Sequence, residues 1–132
     1  MKRLMVDTNV YSNAMRGQTA SVSLLQRSET LMISPIVLGE LLYGFKYGSQ
    51  PEKNREILRQ FLSSPRVELV AVTPETSEFY ASVHTSLRNQ GTPIPTNDIW
   101  IAASTLEHGA HLATVDKHFQ QVPGLLCVQP GT

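Results

Sequence analysis

Short apolar runs alternate along the chain with segments whose apolar residues recur at helical spacing. Each run has a length typical of a strand, and together they predict five strands, at 4–6, 31–33, 67–72, 112–115 and 125–128. Strands that alternate with helices form a mostly parallel sheet, because each crossover returns the chain to the edge from which it started. The pattern therefore predicts the α/β class.

Four segments between these strands have the apolar spacing of helices with one buried face. They lie at 38–45, 57–62, 79–87 and 99–106. A capping residue followed by proline occurs at Ser34-Pro35 and at Thr73-Pro74, which predicts the start of a helix at each proline. Three glycines are positioned to end helices, namely Gly48, Gly91 and Gly109.

The composition is that of an ordinary globular chain. The sequence has 132 residues, of which 41% are hydrophobic and 17% charged, and this excludes a disordered or collagen-like protein. The length predicts one domain over 1–132. No apolar run exceeds five residues and Asp7 interrupts the first one, so we expect neither a membrane span nor a secretory segment. The single cysteine, Cys127, permits no internal disulfide and favours a cytoplasmic protein.

The charge total is zero, with 11 Lys+Arg and 11 Asp+Glu, which gives no broad electrostatic attraction to nucleic acid. The positions of the acids are more informative. Only three are aspartates: Asp7 and Asp116 directly follow predicted strands, and Asp98 lies in the first turn of a predicted helix. Glu40 lies in the helix after the second strand. Parallel strands end at one edge of a sheet, so we expect these carboxylates to lie together there.

Each acid also has an ordinary structural explanation. Asp98 could interact with the helix dipole, Asp7 could cap a helix, and Asp116 could be a turn residue. Glu40 is harder to explain in this way, because its neighbours at i±3 and i±4 include no basic residue. An ionised carboxylate in such apolar surroundings is costly unless a cation or hydrogen-bond donors meet it.

Four carboxylates gathered at one edge would repel one another by about 4 kcal/mol per pair at ~4 Å and an effective dielectric constant near 20. A hard divalent cation relieves that repulsion, and carboxylate oxygens are the ligands that Mg²⁺ and Mn²⁺ prefer. The four histidines show no spacing typical of a zinc site. An acidic site of this kind is typical of enzymes that act on phosphates.

Four motifs in this order resemble the PIN-domain family, and more narrowly its VapC-type toxin ribonucleases. They are VDTN at 6–9, SPIVLGEL at 34–41, NDIWIAA at 97–103 and LATVDKHF at 112–119, the last followed by VPGL at 122–125. The resemblance extends from residue 4 to residue 128. It implies a three-layer α/β/α sandwich with a mostly parallel sheet of about five strands.

The resemblance also implies a Mg²⁺- or Mn²⁺-dependent endoribonuclease, the toxin of a toxin–antitoxin module that cuts structured RNA such as tRNA. It further implies a homodimer, a VapB-type antitoxin that blocks the acidic pocket, and assembly of the pair on operator DNA. The four family acids correspond to Asp7, Glu40, Asp98 and Asp116, as metal ligands and catalytic residues. Some family members carry a further acid three residues after the last one, where this chain has Phe119.

Several polar residues are secondary candidates for orienting ligands or substrate, although each could equally be a cap. They are Thr8, Asn9, Asn97 and Thr114, and Thr114 is expected to share a strand face with Asp116. Four basic residues are candidates for contacts with RNA phosphates: Arg16, Lys46, Lys117 and His118.

Three other classes of protein share part of this pattern. A haloacid-dehalogenase-type phosphatase requires a second aspartate two residues after the first, where this chain has Asn9. A Rossmann or P-loop nucleotide-binding protein requires a glycine-rich loop after the first strand, and the first glycine is Gly17. A catalytically silent PIN-fold protein that binds RNA or a partner remains the alternative.

Overall fold

A computed structural model describes residues 2–132. In chain order, the elements are β1 (Arg3–Val6), α1 (Thr8–Met15), α2 (Thr19–Gln26), β2 (Thr30–Ile33), α3 (Pro35–Phe45), α4 (Pro51–Leu62), β3 (Val67–Leu69), α5 (Pro74–Gln90), α6 (Thr96–Glu107), β4 (His111–Ala113), a 3₁₀ helix (Lys117–Gln121) and β5 (Cys127–Val128).

The five strands form one sheet in the order β3-β2-β1-β4-β5, and all four pairings are parallel. The central strand, β1, pairs with β2 on one side and with β4 on the other, so that Leu4 lies between Leu31 and His111. The predicted α/β class and the sheet of about five strands are confirmed. Because the strands are parallel, the carboxyl ends of β1, β2 and β4 lie at the same edge of the sheet.

The helices cover both faces of this sheet. The chain runs outward from β1 through β2 to β3, and then crosses back to β4 and β5. Right-handed crossovers therefore place α1 to α4 on one face and α5 and α6 on the other. The packing agrees, because α1 contacts α2 and α3, while α5 lies along α6. Two aromatic pairs join these helices, Tyr11 with Phe61 at 5.1 Å and Tyr80 with Trp100 at 4.1 Å between ring centroids. The result is the predicted three-layer sandwich.

The core follows from this arrangement. Leu4, Met5 and Val6 have no exposed surface, as expected for a central strand with helices on both faces. On α6, Ile101 and Ala102 are equally inaccessible. Within residues 2–132, no helix combines the length and the apolar character needed to cross a bilayer.

Three of the strands are shorter than predicted. β3 ends at Leu69 rather than at residue 72, because its neighbour β2 ends at Ile33, whose carbonyl accepts the last bond, from the N–H of Val70. β4 ends at Ala113 rather than at residue 115, and β5 contains only Cys127 and Val128. In all three strands, the run of apolar residues is therefore longer than the strand itself.

Two helices were missed by the sequence pattern. α1 and α2 have eight residues each, and only three residues of each are buried. In α1 the buried residues are Val10, Tyr11 and Ala14, which is less than two full turns of apolar spacing. The pattern was too short to separate these helices from loop.

The predicted helix ends are mostly correct. Ser34 caps α3, and Thr73 caps α5 in a reciprocal arrangement with Thr76. Gly91 ends α5 in the left-handed conformation with φ 73°, and Gly109 follows α6 with φ 61°. The prediction that Gly48 ends a helix was wrong, because α3 ends at Phe45 and the chain continues for two residues before the glycine.

Gly91→Ala is expected to lower the free energy of unfolding by about 1 kcal/mol, because a β-carbon disfavours the left-handed backbone. Gly39→Ala provides a matched control, since Gly39 is inside α3 and an added β-carbon meets no atom within 4 Å. This second change should raise stability by about 0.5–1 kcal/mol through helix propensity. Urea unfolding of both variants measures the difference. Shifts of the same sign would contradict this explanation.

Candidate functional site

Asp7 occupies the end of the central strand, immediately before α1. Its Oδ1 accepts a hydrogen bond of 2.9 Å from the backbone N–H of Thr8, and the side chain caps that helix. Its Oδ2 accepts a bond of 2.7 Å from the hydroxyl of Thr114. The residue is buried, and no basic side chain of residues 2–132 forms an ion pair with it. A buried carboxylate is thus held by neutral donors alone.

Thr114 connects the ends of two adjacent strands. While its hydroxyl donates to Asp7, the same oxygen accepts a 3.0 Å bond from the backbone N–H of Asp116. The predicted shared strand face of Thr114 and Asp116 is wrong, because both residues lie beyond Ala113, where β4 ends. Asp116 therefore does not follow a strand directly. It caps the 3₁₀ helix, with its Oδ1 accepting a 2.9 Å bond from the N–H of His118.

Asp98 approaches from the opposite layer, in the first turn of α6. Its Oδ2 lies 3.6 Å from Nδ1 of His118, and the same nitrogen lies 3.2 Å from Oδ1 of Asp116. The imidazole thus stands between two carboxylates. One atom from each of these three residues lies within 4.8 Å of the others, a spacing that could hold a metal ion.

Sequence reasoning missed His118 as a member of this cluster and considered it only for phosphate contacts. The signal was its position two residues after Asp116. When an aspartate caps a 3₁₀ helix, the second residue of that helix lies close to the carboxylate. That helix was not predicted, so the proximity could not be inferred.

Glu40 reaches the same edge from α3 and is half-buried. Its Oε1 accepts a 2.5 Å bond from the hydroxyl of Thr8, and its Oε2 accepts a 3.3 Å bond from the side-chain amide of Asn97. Thr8 and Asn97 thus supply the hydrogen-bond donors that a carboxylate in these apolar surroundings requires. Asn9 is exposed, and its side chain makes no hydrogen bond within the described part of the chain.

The carboxylates perturb one another. Burial raises the pKa of Asp7, the hydrogen bond from Thr114 opposes that shift, and the negative charges of Glu40 and Asp116 add to it. Burial also raises the pKa of Asp98, to about 6, with further contributions from the charges of Asp116 and Asp7. The edge therefore concentrates negative charge, and no lysine or arginine side chain of residues 2–132 forms an ion pair with these acids. A site with these properties favours a bound cation.

The position three residues after Asp116 supplies no ligand here. Phe119 is fully buried and belongs to the hydrophobic core. The donors at this edge are consequently the four carboxylates and the imidazole of His118.

Comparison with known proteins gives a consistent result. A family model described as the PIN domain matches residues 4–125. Ribonuclease VapC2 of Rickettsia felis is 33% identical over 127 residues, which cover 92% of this chain and 93% of that protein. The tRNA(fMet)-specific endonuclease VapC of Shigella flexneri is 27% identical over 128 residues, which cover 95% of this chain and 96% of that protein.

A solved structure with a similar fold is VapBC2 from Rickettsia felis bound to a DNA fragment from its promoter. It superposes with a TM-score of 0.85 at 29% identity, covering 96% of this chain and 98% of that one. VapBC-1 from nontypeable Haemophilus influenzae superposes with a TM-score of 0.83 at 25% identity, covering 98% and 99% of the two chains. The fold of this chain therefore matches that of solved structures over nearly its whole length.

Asp98→Asn is expected to stabilise the metal-free protein at pH 7 by about 1 kcal/mol, after allowance for solvent screening and for the lost helix-dipole interaction. The pKa of Asp98 is raised from 3.8 to about 6 on folding, so the native state holds this proton more tightly than the unfolded state. Stability from this group is therefore lost as the pH rises from about 4 to about 6. The gain from the substitution should shrink as the pH falls to 4, which urea unfolding in a chelator measures.

Glu52→Gln is the control, because Glu52 is an exposed acid in the first turn of α4. This substitution should lower the free energy of unfolding by about 0.3–1 kcal/mol, because only the interaction with the helix dipole is lost. A destabilised Asp98→Asn at pH 7 would contradict the inferred repulsion.

Proposed function

The chain belongs to the PIN-domain family, and on that premise we propose that it is the endoribonuclease toxin of a VapBC-type toxin–antitoxin module that cuts structured RNA with Mg²⁺ or Mn²⁺. The observation that carries the proposal is the convergence of Asp7, Glu40, Asp98 and Asp116 at one edge of the sheet. The name of the Shigella flexneri relative includes tRNA(fMet), which supports a tRNA as the type of substrate. We further propose that residues 1–132 form a single domain.

The donor set fits a divalent cation. It consists mainly of carboxylate oxygens, which suit Mg²⁺ and Mn²⁺, and burial together with mutual repulsion raises the pKa of Asp98 and Asp7. Asp98 and Asp116 would hold the ion, with Asp7 as a further ligand at the same edge and His118 beside them. A cation held there would neutralise phosphate charge and lower the pKa of a bound water.

The chain's own residues would position the reacting groups. Glu40, fixed by the hydroxyl of Thr8 and the amide of Asn97, would orient the attacking water or help to hold the ion. Thr114 would keep Asp7 and the backbone of Asp116 in register. Asn9 remains a candidate for a contact with substrate. Because the fold already holds these groups in place, they would keep the substrate and the attacking water in a reactive orientation.

The partners follow from the relatives. Solved structures with a similar fold include VapBC complexes, and those from Rickettsia felis and Salmonella typhimurium are bound to DNA. We propose that a VapB-type antitoxin covers the acidic edge of this chain, that the pair assembles on operator DNA, and that the toxin is a homodimer. A module that acts on RNA and on its own operator would work in the cytoplasm.

Asp7→Asn and Asp98→Asn should each reduce the rate of RNA cleavage by more than about 100-fold. Mutation of a residue that only hydrogen-bonds to a metal ligand already costs about 10- to 100-fold in activity, and loss of a ligand itself should cost more. The measurement is the initial rate on bulk bacterial tRNA with Mn²⁺ or Mg²⁺, beside the same reaction in a chelator. Glu78→Gln, an exposed acid on α5, should cleave like the unmodified protein. Cleavage that survives both aspartate substitutions or the chelator would refute the mechanism. RNA binding without any cleavage would favour the catalytically silent alternative.

Thr114→Val should lower the cleavage rate by about 10- to 100-fold, since it removes the donor to Asp7 and the acceptor for the N–H of Asp116 while keeping the shape of the side chain. Thr114→Ser should retain most of the activity. Thr105→Val is the matched control, because that buried hydroxyl donates only to Ile101 of its own helix. Equal effects of the two valine substitutions would indicate a general packing defect.

A further inference from the structure

An exposed aromatic pair lies next to the acidic edge, with Tyr43 on α3 and Tyr47 just past the end of that helix. Tyr43 is 64% exposed and Tyr47, four residues later, is 77% exposed. Their rings meet edge to face with 5.1 Å between centroids. Two aromatic rings this exposed leave apolar surface that a protein ordinarily covers, so such a pair indicates a binding surface.

Tyr43 lines a cavity of ≈300 Å³ that opens directly beside the acids. Glu40 precedes it by three residues on α3, so both side chains face the same side of the helix. The other wall is Asn97, whose amide is hydrogen-bonded to Glu40 at 3.3 Å. Glu40 is connected in turn to Asp7 through Thr8, which bonds to both. The cavity therefore adjoins the proposed reaction site through Glu40.

The chemistry of the cavity suits an unpaired base. It offers an aromatic face on one wall and an amide that can both donate and accept on the other. Lys46, three residues beyond Tyr43, is exposed and can meet a neighbouring phosphate. An aromatic platform beside a basic residue is the combination by which proteins hold single-stranded nucleic acid. Because the chain has zero net charge, bulk electrostatic attraction cannot supply the affinity for RNA.

We propose that Tyr43, supported by Tyr47, is the surface on which a base next to the scissile phosphate stacks. This inference rests on the proposed ribonuclease function. Tyr43 is then a positioning residue for substrate, separate from the carboxylates that carry the chemistry.

The test compares Tyr43→Ala, Tyr43→Leu and Tyr43→Phe in the cleavage of bulk bacterial tRNA with Mn²⁺. Loss of stacking should raise KM roughly 5- to 150-fold in the alanine and leucine variants, with kcat within about twofold of the original. The phenylalanine variant should retain the original KM, because it keeps the ring. Phe79→Ala removes an exposed aromatic of α5 outside the cavity and should change neither constant.

A second measurement separates this inference from the proposed function. Anisotropy of a labelled single-stranded RNA of mixed sequence reports binding by the Asp98→Asn protein, with and without Tyr43→Ala, and needs no cleavage. Weaker binding in the double variant supports the stacking surface. A protein that cuts RNA with an unchanged KM after Tyr43→Ala overturns the inference alone, whereas a protein that neither cuts nor binds RNA overturns both.

Other occupants of this surface give different results. If leucine serves as well as phenylalanine, the contact is apolar rather than stacked, and the inference fails. It also fails if Tyr43→Ala dissociates a dimer, measured by light scattering. A raised KM with an unchanged molecular mass is the supporting outcome.

Discussion

A hydrogen bond between the ends of adjacent strands organises this molecule's acidic edge. The hydroxyl of Thr114, just past β4, donates to the buried carboxylate of Asp7 at the end of β1. Because the hydroxyl also accepts the N–H of Asp116, the position of one carboxylate fixes the backbone of another. Parallel pairing of β1 and β4 is what brings these groups within reach. Without that register, the acids would have no common location.

The same edge shows a conflict between stability and chemistry. Burial and mutual repulsion raise the pKa values of Asp7 and Asp98, so the ionised acids oppose folding at neutral pH. The fold tolerates this cost because the surrounding layers are well packed, with α6 buried along much of its length. Strain at one site supported by a rigid scaffold is common where a protein must hold a cation or a charged substrate.

Much of the architecture was predictable from local patterns. The strand cores at 4–6 and 31–33, the starts of α3 and α5 and the left-handed Gly91 all follow from residue types within a few positions of one another. The errors have two causes. Strand ends depend on whether a neighbouring strand continues, as where β3 stops opposite Ile33, and short helices such as α1 present too few apolar positions to be recognised.

For the site, the sequence determined which acids to consider, because their positions at the ends of strands and helices are local properties. Only the tertiary structure decided their partners. Thr114 meets Asp7 across 107 residues, Asn97 meets Glu40 across 57, and Thr8 meets Glu40 across 32. The placement of His118 between two aspartates and the exposure of Tyr43 were likewise invisible in the sequence. Such contacts depend on how the layers pack and on strand register, and neither is encoded in the spacing of residues along the chain.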